Sequence, residues 1–366
     1  MTADRKKVLF LIPSMVGGGA ERFFAILLKH LDRRRFEPEL GLLRAEGEYM
    51  GEIPDDVVVH TLNVSRARYA LPGIVRLVWR LRPRTILSTL PQMNMMVTLS
   101  RPLLPRGTRV LLQEAADPSG FVREEVRHKR VWLWFYRHCY RHADRVLCLS
   151  RAMVDDMASS FRVPREKLLS IYYPVDVERV TLAGSESGNP FSGPGPHLLA
   201  AGRLTRQKGF DVLLDAMPTM LQQLPGARLT ILGHGPLQEE LRHQAQGLGI
   251  SNAVDFPGFQ QNPWRYIQHA SAFVLPSRYE GLPNVLLEAL VLGTPIVASD
   301  CPGAIREVQN CGVEVILVPP EDPAALSQAI ISICRAPKRS PGSQMSQSAA
   351  NKFGLSRILN EYSDLL

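Results

Sequence analysis

The feature that most constrains this chain is a repeated alternation. Strand-length runs, apolar from end to end, recur with segments of helical periodicity between several of them. The first series is residues 7–13 (KVLFLIP), 38–44, 57–62, 85–90, 109–114 and 145–150. A second runs through 197–202, 228–233, 253–258, 272–277, 294–299 and 313–318. A strand that is apolar on both sides must be covered on both faces, so strands of this kind separated by helices predict a parallel sheet between two helical layers. The series stops and restarts around GSESGNPFSGPGP at 184–196, whose Gly, Pro and Ser content marks a linker. The predicted fold class is therefore α/β, with two doubly wound domains in tandem. Such sheets bind ligands beyond the carboxyl ends of their strands, so two binding edges facing a central cleft are expected. FGLSRILNEYSDLL at 353–366 has helical periodicity and follows a loose stretch at 336–350 rich in Ser, Pro and Gln.

The chain has 366 residues with 45% hydrophobic and 21% charged, enough apolar content for two cores. The net charge of +8 is uneven: residues 1–176 hold 29 Lys/Arg against 19 Asp/Glu, while residues 177–366 hold 14 against 16. A basic half suits a polyanionic or phosphorylated partner, or is simply solvated arginine. The five cysteines, Cys139, Cys148, Cys301, Cys311 and Cys334, have no CxxC spacing, which predicts reduced thiols in a cytoplasm and no structural zinc. Arg5, Lys6 and Lys7 before VLFLIPSMV outline a signal peptide. The run ends instead in Gly17-Gly18-Gly19 and Glu21-Arg22 without a cleavage pattern, so a first buried strand is expected. No run of 18 apolar residues predicts a transmembrane helix.

Several loops carry chemistry. The glycine cluster lies between a strand and a helix, where free N–H groups favour phosphate; a ligand-free tight turn is the other reading. It lacks GxGxxG spacing, and no acidic residue clearly ends the second strand to hold an adenosine ribose. In AAGRLTRQKGF at 200–210, Arg203 and Lys208 follow a strand, a pairing of fork and point charge that suits a diphosphate or else a basic surface loop. Gly233-His234-Gly235-Pro236 is a strand-to-helix turn. In SRYEGLPNVLLEALVLGTPIVAS at 277–299, Glu280 and Glu288 have seven residues between them, one in a loop and one in a helix that should be buried. Pro283 is expected to begin that helix and Gly293 to end it. Gly281 and Leu282 would sit at its N-terminus, which polarises toward an anion. A ribose cis-diol would satisfy Glu288, as would a neighbouring backbone.

In their order, the glycine loop, GRLTRQKG, LGHGP and YEGLPNVLLEALVLGTPIVASDCPG closely resemble the retaining glycosyltransferases of family GT4, from Val8 to the final helix. The resemblance implies the GT-B fold, two Rossmann-like domains, with boundaries near 1–180, a linker at 181–196, 197–350, and a helix at 351–366 crossing back to the first domain. It implies that the second domain binds a nucleotide-diphospho-sugar. Arg203 and Lys208 would hold the diphosphate, Glu288 the ribose, and Glu280 would face the transferred sugar. Gly233, Gly258, Phe259, Gly281, Leu282, Pro283 and Asn284 would line the donor site, with Gly18 and Gly19 approaching from the first domain. A catalytic set of Glu280, Arg203 and Lys208 is expected. Many relatives carry His or Arg shortly after the strand at 109–114; here the stretch reads LLQEAADPSG, and Glu114 or Asp117 is the acceptor-side candidate.

No DxD triplet occurs, so no bound metal and no cofactor are expected. The expected reaction transfers a hexose or N-acetylhexosamine, UDP-linked by resemblance, with retention. The basic, Trp-bearing segments at 68–84 and 121–146 predict peripheral contact with an anionic membrane and a polyprenyl-diphosphate-linked saccharide acceptor. Core aromatics with solvated arginines are the alternative there. A sugar-nucleotide epimerase or hydrolase on the same fold remains open, as does a nucleic-acid binder, although no base-reading motif is present and no nucleic acid is expected.

Overall fold

The computed structural model describes residues 5–186, 188–336, 345 and 347–366; most of the Ser-, Pro- and Gln-rich stretch at 336–350 lies outside them. The chain divides into two compact units, residues 1–173 with 358–366, and residues 174–357.

The first unit is built on a sheet of seven parallel strands: β1 (Lys6–Ile12), β2 (Phe36–Leu42), β3 (Val58–Thr61), β4 (Thr85–Thr89), β5 (Arg109–Gln113), β6 (Arg145–Cys148) and β7 (Leu168–Ser170), in the order β3-β2-β1-β4-β5-β6-β7. Six of these are the apolar runs read from the sequence. The seventh is three residues long and half-buried along two of them, so it leaves no run to read. Val8 to Ile12 and Ile86 to Leu87 are fully buried, as strands covered on both faces must be.

The second unit repeats the plan with β8 (His197–Ala201), β9 (Arg228–Leu232), β10 (Val254–Gly258), β11 (Ala272–Leu275), β12 (Ile296–Ser299) and β13 (Val315–Val318), in the order β10-β9-β8-β11-β12-β13. Its core joins Leu198, Leu229, Ile231, Val274 and Val297 on the strands to Leu213, Met217 and Ile330 on helices. The chain order reverses between β8 and β11, so the loops leaving those two neighbouring strands diverge and leave a crevice at their carboxyl ends. The chain enters this unit ahead of the Gly/Pro-rich stretch: the helix Val177–Gly184 packs on the helices Trp264–His269 and Asn284–Val291. The segment is also held by a bond from the Val175 N–H to the Phe353 carbonyl (2.9 Å).

Candidate active site

The loops that leave β8 and β11 are clasped together at the reversal point. The backbone N–H of Arg278 donates to the Gln207 carbonyl (2.8 Å), and the Gln207 side-chain amide donates to the Tyr279 carbonyl (3.0 Å). Arg278 reinforces the clasp. Its guanidinium donates to the Arg206 carbonyl (2.7 Å), forks onto both oxygens of Asp211 (2.8 and 2.7 Å) and reaches Glu321. This nearly buried guanidinium is held more firmly protonated by Asp211 first and by Glu321, while pairing with it lowers the Asp211 carboxyl despite burial. Gly209 permits the close approach. It sits at φ +64°, and a Cβ there would collide with the Pro276 carbonyl.

The clasp brings two of the expected catalytic groups together. Lys208 Nζ donates to Glu280 Oε1 at 2.6 Å, and the Ser277 hydroxyl donates to the same oxygen at 2.6 Å. Glu280 is only 3% exposed, so the ammonium and hydroxyl replace the water its carboxylate has lost. The Lys208 stem lies over Gly202. Arg203 is exposed, and no carboxylate pairs with it among the described residues. Of the two cations, Lys208 has its charge compensated and Arg203 does not.

The remaining donor-side residues gather on the same edge. Gly202, Gly233 and Gly258 stand at the ends of the adjacent strands β8, β9 and β10. The Gly233 N–H donates to the Gly258 carbonyl (2.9 Å), and at φ +117° a Cβ on Gly233 would meet the Gly202 carbonyl. Phe259 lies beside His234, ring centroids 6.1 Å apart. After β11, the buried Gly281, Leu282 and Pro283 lead into the helix Asn284–Val291. Pro283 caps this helix rather than starting it, because its ψ of 122° is still extended; helical backbone begins at Asn284. Gly293, at φ +71°, follows the end. Glu288 is the fifth helical residue and is buried.

The first unit holds the other named residues. Gly18 caps the helix Gly19–His30 with extended backbone, and a Cβ there would run into the Glu21 carboxylate. The Gly17 N–H donates to Glu48 (2.6 Å). Carboxylates of the chain itself thus occupy places beside this glycine loop that suit an anion. Glu114 follows β5 and is fully buried: Tyr140 and Asn94 donate to Oε1 (the amide at 3.0 Å), and Tyr136 donates to Oε2 (3.3 Å). Burial pushes its pKa up to about 7. Both Glu114 oxygens are turned inward onto these donors. Asp117 caps the helix Pro118–Glu124 through the Gly120 N–H (2.7 Å); burial raises its pKa to about 6.

Sequence reasoning missed Ser277, Gln207, Arg278 and Asp211 in the second unit, and Asn94, Tyr136 and Tyr140 in the first. Each acts through a partner 3 to 72 residues away, and only Ser277, three residues from Glu280, left a local signal.

Comparison with known proteins agrees with this architecture. A family model described as glycosyl transferase 4-like domain matches residues 18–174, and one described as glycosyl transferases group 1 matches residues 195–336. An uncharacterized glycosyltransferase of Methanocaldococcus jannaschii is 27% identical over 56% of this chain, which spans about half (51%) of that protein's length. The N-acetylgalactosamine-N,N'-diacetylbacillosaminyl-diphospho-undecaprenol 4-alpha-N-acetylgalactosaminyltransferase of Campylobacter jejuni is 27% identical over 83% of both chains. The crystal structure of Anabaena HepE in complex with UDP and glucose superposes with a TM-score of 0.79, at 20% identity and covering 99% of each chain, a likeness of fold. The two family models together match residues 18–174 and 195–336, in the same order as the sequence motifs, and on that ground the chain belongs to the group 1 glycosyl transferases with the GT-B fold.

Proposed function

We propose that this glycosyltransferase moves a hexose or N-acetylhexosamine from a UDP-linked donor to a saccharide carried on a polyprenyl diphosphate, retaining the anomeric configuration. The observation that carries the reading is the Lys208–Glu280 pair, with the uncompensated Arg203 on the same loop as Lys208, at the strand-order reversal of the second sheet. In the reaction the bond between C1 of the sugar and the diphosphate oxygen breaks, its electron pair leaving with the diphosphate. A bond from the acceptor oxygen to C1 forms on the same face, and the acceptor hydroxyl proton passes to the departing phosphate oxygen. Negative charge therefore grows on the diphosphate. Arg203 supplies the larger free positive charge to meet it, with the N-terminus of the helix Asn284–Val291 adding backbone N–H groups. Lys208 adds directed N–H donation while Glu280 fixes its position and faces the sugar. Glu288 holds the ribose. No metal or cofactor takes part in this scheme.

The donor base and sugar follow the ligands of the Anabaena protein, and the acceptor class follows the diphospho-undecaprenol in the Campylobacter enzyme's name. Five free thiols support a cytoplasmic setting. A nucleotide-release screen across UDP-sugars, with and without lipid-linked saccharides, tests the reading. Release should depend on acceptor and vanish in Arg203→Ala and Glu280→Ala; robust turnover by either variant, or an inverted linkage by NMR, would overturn it.

A further inference from the structure

Between Asp56 and Glu114 the chain contains no Asp or Glu and nine arginines. Around the buried strands β4 and β5, this stretch forms two helices and two short turns. The helices Leu71–Leu81 and Pro91–Ser100 pack side by side, and the short turns Ala67–Tyr69 and Arg101–Leu103 pack against the second of them. Large apolar side chains are exposed on these elements: Tyr69 (54%), Trp79 (48%), Leu99 (41%) and Leu103 (53%). The Trp79 indole N–H is already spent on the Leu103 carbonyl (2.8 Å), which ties the two residues together. Arg82 lies over the Trp79 ring (4.6 Å) and Arg68 over Tyr69 (4.8 Å).

Along the helix, Pro72, Arg76, Trp79 and Arg80 are exposed at spacings of three and four, while Ile74, Leu77 and Val78 are buried, so one stripe holds the core and the other faces solvent. Arg66, Arg68, Arg76, Arg80, Arg82, Arg84 and Arg106 are all exposed, and among the described residues none of them pairs with a carboxylate. Exposed apolar side chains ringed by charge of one sign fit a surface that is anionic outside and hydrocarbon beneath.

The second basic segment is different. In the helix Lys129–His138, Trp132 packs on Phe121 and Phe135 (5.1 and 5.8 Å), and Trp134 stacks on His138 (5.2 Å). Glu124 and Glu125 lie just ahead of it in the chain, whereas no Asp or Glu lies between Asp56 and Glu114; Val131 and Trp134 are exposed on it.

We propose that the face formed by Tyr69, Trp79, Leu99 and Leu103, with its ring of arginines, is the surface by which this protein docks on an anionic lipid bilayer. The inference deepens the reading of a lipid-linked acceptor and rests on it for its purpose. Arginine should bind the anionic headgroups while the indole and leucines enter the headgroup boundary.

The test is flotation of the full chain with vesicles of phosphatidylglycerol and phosphatidylcholine. The chain should float with the mixed vesicles and not with phosphatidylcholine alone. Arg76→Glu/Arg80→Glu should cut binding at least tenfold, while Arg127→Glu/Arg130→Glu should leave it within about twofold. Leu103→Ser, whose side chain is exposed, should weaken binding severalfold with an unchanged melting temperature, and keeps the test valid if the double variant folds poorly. Calorimetric binding of UDP-sugar in the absence of lipid should be unchanged in these variants; absence of that binding in the wild type would count against the donor reading alone. Absence of flotation, equal loss in the Arg127/Arg130 variant, or tighter binding to an RNA or DNA oligonucleotide than to vesicles at the same salt would overturn the proposal.

Discussion

Lys208 and Glu280 illustrate how a buried charge depends on its partner. Removing the ammonium by Lys208→Met leaves the Glu280 carboxylate, 3% exposed, with the Ser277 hydroxyl as its other donor. The expected cost is about 3 kcal/mol, because an uncompensated buried charge remains. Adding Glu280→Gln removes that charge and should return at least ~1 kcal/mol, read as a positive coupling from urea midpoints of the four-member cycle. Turnover should be lost in all three variants. Glu114 gives a prediction of opposite origin. Folded, its carboxyl keeps a proton up to about pH 7; its ordinary value is 4.5. The native state therefore binds more protons than the unfolded state between those values. The contribution of Glu114 to stability is greatest below 4.5, falls as pH rises and levels off above about pH 7, a loss of about 3 kcal/mol. Asp117, raised to about 6, adds a smaller fall of the same sign. Glu114→Gln should flatten most of this slope in melting curves from about pH 5 to about pH 7. Residue identity was legible where a motif is contiguous, as in YEGLPNVLLE. The sequence does not disclose that Glu114 meets Tyr136 and Tyr140, because those hydroxyls come from a helix and a turn that only packing brings beneath β5.

At the scale of elements, the second sheet's reversal works only because two loops touch. Gly209 and Gly249 test this as a matched pair. Both have left-handed backbone, φ +64° and +69°, but a Cβ on Gly209 would strike the Pro276 carbonyl while one on Gly249 meets nothing within 4 Å. Gly249→Ala should therefore cost about 1 kcal/mol, the conformational term alone. Gly209→Ala should cost clearly more in thermal melts and should abolish nucleotide release, because relieving the clash drives the Lys208 loop away from Glu280. Equal effects from the two substitutions would show that the loops are not pressed together. Strand positions were readable, since six apolar runs per series reappear as strands within one or two residues at most ends. The short β7 was not, because three residues carry too little pattern to separate them from the turn of Arg165–Lys167 just before. The Arg278–Asp211 fork was equally hidden: its partners are 67 residues apart, and each reads locally as an ordinary loop or first-turn charge.

At the scale of the whole molecule, the chain leaves the first unit after Tyr173 and contributes residues 358–366 to it again at its far end. That returning segment is built into the seven-stranded sheet's core. Tyr362 is fully buried, donates its hydroxyl to Gln113 Oε1 (2.5 Å) and packs on Phe23 (centroids 5.1 Å), which in turn stacks on Tyr173 (4.4 Å). Arg109 donates to the Leu365 carbonyl (2.8 Å) and Thr85 to the Leu366 carbonyl (3.1 Å). The sequence showed a terminal helix, but the identity of its binding site depends on Phe23, Gln113 and Thr85, which lie more than two hundred residues away. Tyr362→Ala should create a cavity and strip Gln113 of a partner, costing about 3–5 kcal/mol. Because the contacts belong to one unit, the loss should be local. Hydrogen exchange should speed up across β1, β4 and β5, while β8, β9 and β11 keep their protection. Tyr362→Phe should keep the packing and lose only the hydroxyl, for about 1 kcal/mol. Uniform loss of protection in both sheets would mean that the two units unfold as one, and that residues 358–366 stabilise more than the sheet into which they are packed.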